Sequence, residues 1–280
     1  MLRAPVDKLA GDVTQTVTGT AISNGTGASP TLNIGNVHVG VANTYNYQIA
    51  NAGTNGPALR GAVQTTVNGG NITDTRLSGS GVTAANFAAI ATGSHSDNLN
   101  VSFTSSNAGV LAPLTGQAVA LTNNFGNVSD QVLHVNLAPN AAAYTYASAN
   151  TLPATVNFGS HRVGEVIATQ ALNVSNMAAA GAYSENLQAT YSSAAAPFTF
   201  NKNGGTDIVL AGNSATGVVG LSSATAGDFS GANKGVVNVG LTSIAGAADL
   251  TNTTLPSQSV NLRVVRSMHL RQRSNTNHQC

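Results

Sequence analysis

At 280 residues the chain has room for two domains, and 42% hydrophobic residues with only 8% charged ones exclude charge-driven disorder. Lys and Arg number 11 against 10 Asp and Glu, and a net charge of +1 excludes the basic footprint of a nucleic-acid or anionic-membrane binder. Its one cysteine, the terminal Cys280, excludes a disulfide framework and a thiolate metal set.

The opening Met1-Leu-Arg-Ala-Pro-Val-Asp-Lys8 has no apolar run of signal-peptide length, so the chain is expected either to be cytosolic or to have its export signal outside these residues. No stretch reaches the ~18 apolar residues of a membrane span. Gln15-Thr-Val-Thr-Gly-Thr-Ala-Ile22 alternates like the runs that begin at Gln131 and Gln258. Residues 1–27 are therefore expected to be the terminal strand of an upstream module with its linker. An unpaired strand of this kind invites edge-strand self-association unless it docks.

Short alternating runs follow, separated by Gly/Asn/Ser clusters that suit turns. Leu32 and Ile34 share one face, and Gly35-Asn36 interrupts the strand before Val37 and Val39 resume it. Gly40 closes that segment. Tyr45, Tyr47 and Ile49 alternate next, both tyrosines being expected in the core, and Asn51 ends their strand. Later runs are Leu99-Val101-Phe103, Val119-Leu121 and Leu133-Val135-Leu137. In the second half come Val156-Phe158, Leu172-Val174, Phe198-Phe200 about an exposed Thr199, Ile208-Leu210, Val219-Leu221, Val237-Val239-Leu241 and Val260-Leu262-Val264. None has sustained helical spacing, so the chain is expected to be all-β with helix confined to under about a tenth of its residues.

The two halves repeat. Leu32-Asn-Ile-Gly-Asn-Val-His-Val-Gly40 returns as Val156-Asn-Phe-Gly-Ser-His-Arg-Val-Gly164, and the offset from Gly35 to Gly159 is 124 residues. That period is too long for a solenoid coil and near the size of one immunoglobulin-type sandwich. Gly35 and Gly159 are expected at equivalent bends where the first strand leaves its sheet. The expected division is residues 28–138 and 139–267 as two tandem immunoglobulin-like antiparallel β-sandwiches, with 268–280 a disordered tail. Arg263, Arg266, Arg271 and Arg273 near that end give a basic tail as the other reading.

The pattern L-N-[IF]-G-x-V-x-V-G followed by a strand ending [IV]-[AS]-N resembles the modules of bacterial choice-of-anchor D surface proteins. Those look related to the ASPM, SPD-2 and Hydin type of sandwich. The matching residues are Leu32, Asn33, Ile34, Gly35, Val37, Val39, Gly40, Ile49 and Asn51, then Val156, Asn157, Phe158, Gly159, Val163, Gly164, Val174 and Asn176. The resemblance implies a secreted or surface-attached protein with no catalytic residues to transfer.

Candidate chemistry is sparse. The six histidines, His38, His95, His134, His161, His269 and His278, lie at no metal-ligand spacing and are expected as solvent-facing strand or turn residues. Glu165 and Glu185 form no general acid/base pair. Asn68-Gly-Gly-Asn-Ile-Thr-Asp74 and Asn203-Gly-Gly-Thr-Asp207 echo glycine-aspartate calcium turns, but such turns share ions only when repeated in succession, so hairpin loops are expected. There is no nucleophile elbow and no phosphate loop. The expected function is a non-catalytic structural or adhesive segment of an exported bacterial protein, without cofactor, metal or nucleic acid. Its partner would be a protein or glycan at the cell surface. Alternatives are a β-solenoid adhesin or the accessory modules of a larger carbohydrate-active enzyme.

Overall fold

The computed structural model describes residues 31–51, 57–67, 70–114, 116–124, 130–224 and 235–264, together with the backbone of 15–18. The basic cluster's Arg266, Arg271 and Arg273, the expected tail 268–280, His269 and His278 lie outside the described residues. The chain divides into two compact units, Met1–Tyr144 and Thr145–Cys280.

In the first unit β1 (Gln15–Thr18), β2 (Thr31–Ile34), β3 (Val37–His38), β4 (Asn43–Asn51) and β5 (Leu59–Gln64) precede a small hairpin, β6 (Thr66–Val67) and β7 (Gly70–Asn71). Then come β8 (Leu77–Ser78), β9 (Ala85–Ile90), β10 (Leu99–Phe103), β11 (Gly109–Val110), β12 (Ala118–Leu121), β13 (Gln131–Leu137) and β14 (Ala142–Tyr144). The second unit has β15 (Thr155–Asn157), β16 (Gln170–Ser175), β17 (Asn186–Tyr191), β18 (Phe198–Phe200), β19 (Thr206–Val209), β20 (Ser214–Leu221), β21 (Gly235–Ile244) and β22 (Thr253–Arg263). Among the described residues the one helical element is a 3₁₀ turn at Ser80–Val82. The fold is all-β, as the alternation predicts.

Both units follow one plan. The larger sheet runs β2-β13-β12-β5-β9 in the first and β15-β22-β21-β17-β19 in the second. The facing sheet runs β4-β10-β8 and β16-β20-β18. Matching strands also occur in the same chain order, so the repeat seen in nine residues extends to eight strands. Each unit closes its two sheets over its own core, Leu32, Leu59, Leu121 and Leu133 meeting Tyr47, Ile49, Val101 and Phe103 in the first. In the second, Leu187, Val209, Val239 and Leu262 meet Leu172, Val174, Phe200 and Val219. This arrangement excludes stacked solenoid coils for the described residues.

The strands obey period two where one face is solvated. Buried and less buried residues alternate along all ten positions of β21, and Phe198 and Phe200 are buried around exposed Thr199. β12 departs, being buried at every position, and the β6–β7 hairpin packs against it.

Three expectations need correction. The sheets are not purely antiparallel: β2 with β13, β3 with β14 and β15 with β22 pair in parallel. A whole module separates the first and last strands, which is ample chain for the crossover that parallel pairing requires. The alternation at Ile208-Leu210 is inverted, because both are exposed (50% and 54%) while Val209 is buried. His38, expected at the surface, is buried at 7% exposure because β3 pairs with β14. The N-terminal strand, expected either to dock on an edge of the first sandwich or to stay poorly ordered, is docked, Gln15–Thr18 running antiparallel to Gln48–Asn51 on the outer edge of β4.

Candidate functional site

The eight motif residues do not meet in one cleft. They build a pair of matching fastenings in each unit. Asn51 and Asn176 are 1% exposed; Asn51 ends β4 and Asn176 directly follows β16, the corresponding strand of its smaller sheet. Asn51 donates from Nδ2 to the carbonyl of Ile90 at 3.0 Å, and Asn176 donates to that of Val209 at 3.3 Å. Ile90 and Val209 end β9 and β19, the edge strands of the facing sheet. Asn176 also donates to Glu185 O at 2.9 Å, while its Oδ1 accepts from Ser148 N and Ala178 N at 3.1 and 3.2 Å. A buried amide is tolerated only with its groups bonded, and here the bonds join the two sheets.

The fastening includes a turn that sequence reasoning passed over. Gly93 N donates to Asn51 O at 2.8 Å, and Gly212 N to Asn176 O at 2.9 Å. Asn51 N and Asn176 N donate in return to Ser94 O and Asn213 O, both at 2.9 Å. Gly93 (φ 71°) and Gly212 (φ 76°) are left-handed, where a Cβ is penalised. The sequence carries little signal of it, since Ala91-Thr-Gly-Ser94 and Leu210-Ala-Gly-Asn213 share only the glycine.

Gly40 and Gly164 form the other fastening. Their φ values are 74° and 81°, and their amides donate to Ser105 O (2.8 Å) and Ser223 O (3.1 Å), just past β10 and β20. Val39 and Val163 are partly buried on their respective cores beside them. Gly35 and Gly159 are not equivalent, against expectation. Gly159 is left-handed at φ 79° and Gly35 is not. In the first unit Val37 continues as β3, whereas in the second His161 turns its Nε2 to the Phe158 carbonyl and its Nδ1 lies 3.2 Å from Glu165. Gly159→Ala should therefore cost about 1–2 kcal/mol from backbone conformation, a contribution absent at Gly35. Chemical denaturation of the two variants checks this.

The aspartates of the two glycine-rich turns already hold cations of the chain. Asp74 receives Arg76 through both carboxylate oxygens, Nη2 at 2.6 Å and Nε at 2.9 Å, and the guanidinium lies 5.2 Å from the centre of the Phe103 ring. Asp207 accepts from Lys202 Nζ at 2.8 Å and from the Tyr191 hydroxyl at 3.0 Å. Burial, then the neighbouring carboxylate, raises the Tyr191 hydroxyl well above its ordinary range. Among the described residues no three of His, Cys, Asp and Glu group as a metal site.

The Arg76 hydrogen bond holds the Asp74 carboxyl below its usual range, with burial opposing. A carboxyl depressed by folding stabilises above its unfolded value of about 3.9, and that contribution is lost as pH falls through the lower folded value. Arg76→Gln should remove this part of the acid sensitivity, about 1 kcal/mol for such a half-buried pair. Melting curves of both proteins between pH 2 and 7 would show it.

Glu185 is 1% exposed. Ser243 Oγ donates to it at 2.6 Å and Gly246 N at 3.0 Å, while Ser243 Oγ accepts from Ala147 N at 2.7 Å. A search for paired carboxylates misses this group, which ties the stretch before β15 to the end of β21. In the first unit a shallow depression of about 760 Å³ is lined by Asn33, Asn136, Asn140, Val110, Leu114 and Pro139, among others. Its lining offers amides and aliphatic carbon but no ionisable group.

No protein-family profile and no curated protein matches the chain. Among solved structures it is similar to a protein of unknown function from Porphyromonas gingivalis W83, at 10% identity and TM-score 0.27, over 89% of this chain and 98% of that one. Another is E. coli alpha-2-macroglobulin in its native conformation, at 10% identity and TM-score 0.26, over 90% of this chain and 17% of that one. Likeness at this level carries no argument about function.

Proposed function

We propose that the chain is a non-catalytic structural and adhesive segment of an exported bacterial surface protein, its two units acting as immunoglobulin-like spacer or binding modules in tandem. The observation that carries this reading is the repetition of one eight-strand plan with the same fastenings. Duplication has kept a scaffold, and the residues it repeats serve the scaffold. The choice-of-anchor D resemblance at Leu32–Gly40 and Val156–Gly164 points the same way. Small, mostly uncharged side chains suit contact with a protein or glycan by hydrogen bonds and shape, and the Asn-lined depression is the first place to look for such contact. No described helix is long and apolar enough to cross a membrane.

Protease shaving of intact cells producing the full protein tests the reading, the expected result being release of fragments from both units. Protection in intact cells with release only after lysis would overturn it. Purified chain should also turn over no glycan or peptide substrate. Activity abolished by one point mutation would instead favour an enzyme.

A further inference from the structure

The outer edge of the first strand in each smaller sheet is covered in both units, but by different means. In the first unit Ile49 and Asn51 direct their backbone groups to residues 93–96, and Gln48 and Ala50 stand opposite Thr18 and Thr16 of β1. In the second unit Ser175 and Asn173 hold the equivalent positions. Ser175 N donates to Asn150 Oδ1 at 2.7 Å, Asn150 N to Ser175 O at 3.1 Å and Asn150 Nδ2 to Asn173 O at 3.1 Å. The cover there is short and anchored on both sides. Gln258 donates to Asn150 O at 2.8 Å, Leu152 N donates to Gln258 Oε1 at 2.7 Å, and β15 starts at Thr155. β1 is placed differently, for among the described strands it pairs with β4 alone, at the end of the sheet order. Residues 19–30 join it to β2, a length of chain that reaches at most roughly 40 Å.

We propose that the β4 edge at Gln48–Asn51 is a strand-acceptor site, and that its partner in trans is β1 of a second copy of this chain. The cis structure already supplies the donor sequence, its antiparallel sense and its register. Every backbone bond made within one chain is available between two, the condition for strand exchange. Cis pairing is favoured by an effective concentration on the order of millimolar for a short linker. Exchange therefore takes hold where copies are crowded, or where β1 is removed from its own chain. The second unit cannot exchange this way, because its cover at Asn150 is held by Gln258 with only residues 151–154 between it and β15.

Two measurements test the proposal. A labelled peptide of residues 12–21 should bind the chain lacking residues 1–27, and bind the full chain at least tenfold more weakly because its own β1 competes. No binding to a truncated chain that keeps its β circular-dichroism spectrum and cooperative melt would overturn the proposal, as would equal binding to both chains. The second measurement stands whether or not the truncated chain folds. Thr16→Cys and Ala50→Cys, combined with Cys280→Ser, place two thiols on directly opposed residues at a Cα separation suited to a disulfide. Two differently tagged versions, refolded together and oxidised from micromolar to millimolar concentration, should give mixed-tag disulfide dimers whose share rises with concentration. Intrachain disulfides alone at every concentration would overturn the proposal.

Discussion

Asn176→Ala should destabilise the second unit by roughly 3–5 kcal/mol, because it strips partners from several buried backbone groups at once. The carbonyls of Glu185 and Val209 lose a donor, and the amides of Ser148 and Ala178 lose an acceptor. Water replaces these bonds poorly at a site only 1% exposed. Asn51→Ala should act alike on the first unit through Ile90. Asn176→Asp separates hydrogen bonding from shape. Its carboxylate would face two carbonyl oxygens in a dry site, so folding would favour the protonated acid and raise its pKa. A raised pKa gives a variant that is most stable below the unfolded value of about 3.9 and loses stability as pH rises towards the folded one. Denaturant titrations at pH 3 and pH 7 read the effect directly. Equal stability of the parent and Asn176→Ala would remove the fastening from the account.

The second large effect concerns Phe200 and Gly217. Phe200 is buried, meets Tyr191 edge-on with ring centroids 5.4 Å apart, and lies over Gly217 of the neighbouring strand β20. A methyl group at Gly217 would lie 2.5 Å from Phe200 Cε2, closer than carbon atoms can approach. Phe200→Ala should cost about 3–5 kcal/mol as a cavity, and Gly217→Ala about 1–3 kcal/mol as overpacking. The double variant should cost less than the sum, since the added methyl fills part of the space the ring vacates. Strict additivity in a double-mutant cycle would mean the two sites do not share that space.

The alternation rule found most of the architecture because burial on one face writes period two into the sequence, as β21 and Phe198–Phe200 show. It failed where distant groups decided the face. At Asp207-Ile208-Val209-Leu210 the two outer apolar residues suggest an inward Ile208 and Leu210. Lys202 and Tyr191 instead satisfy an inward Asp207, and Asn176 holds the Val209 carbonyl. Gly35 and Gly159 occupy one motif position yet differ in φ, because β3 has a partner strand in β14 and His161 closes the corresponding turn. The candidate fastenings were half legible. Asn51 and Asn176 stood out in the repeat, whereas Gly93 and Gly212 sit in turns whose neighbours differ in every side chain but the glycine.

The claim that this chain is built of self-sufficient sandwich modules is tested most directly by expressing residues 145–280 alone and following thermal unfolding by circular dichroism. The account predicts a β-type spectrum and one cooperative transition that Phe200→Ala lowers, since the strands and core of this unit all lie within those residues. A fragment that is unfolded under conditions where the full chain is folded would contradict it.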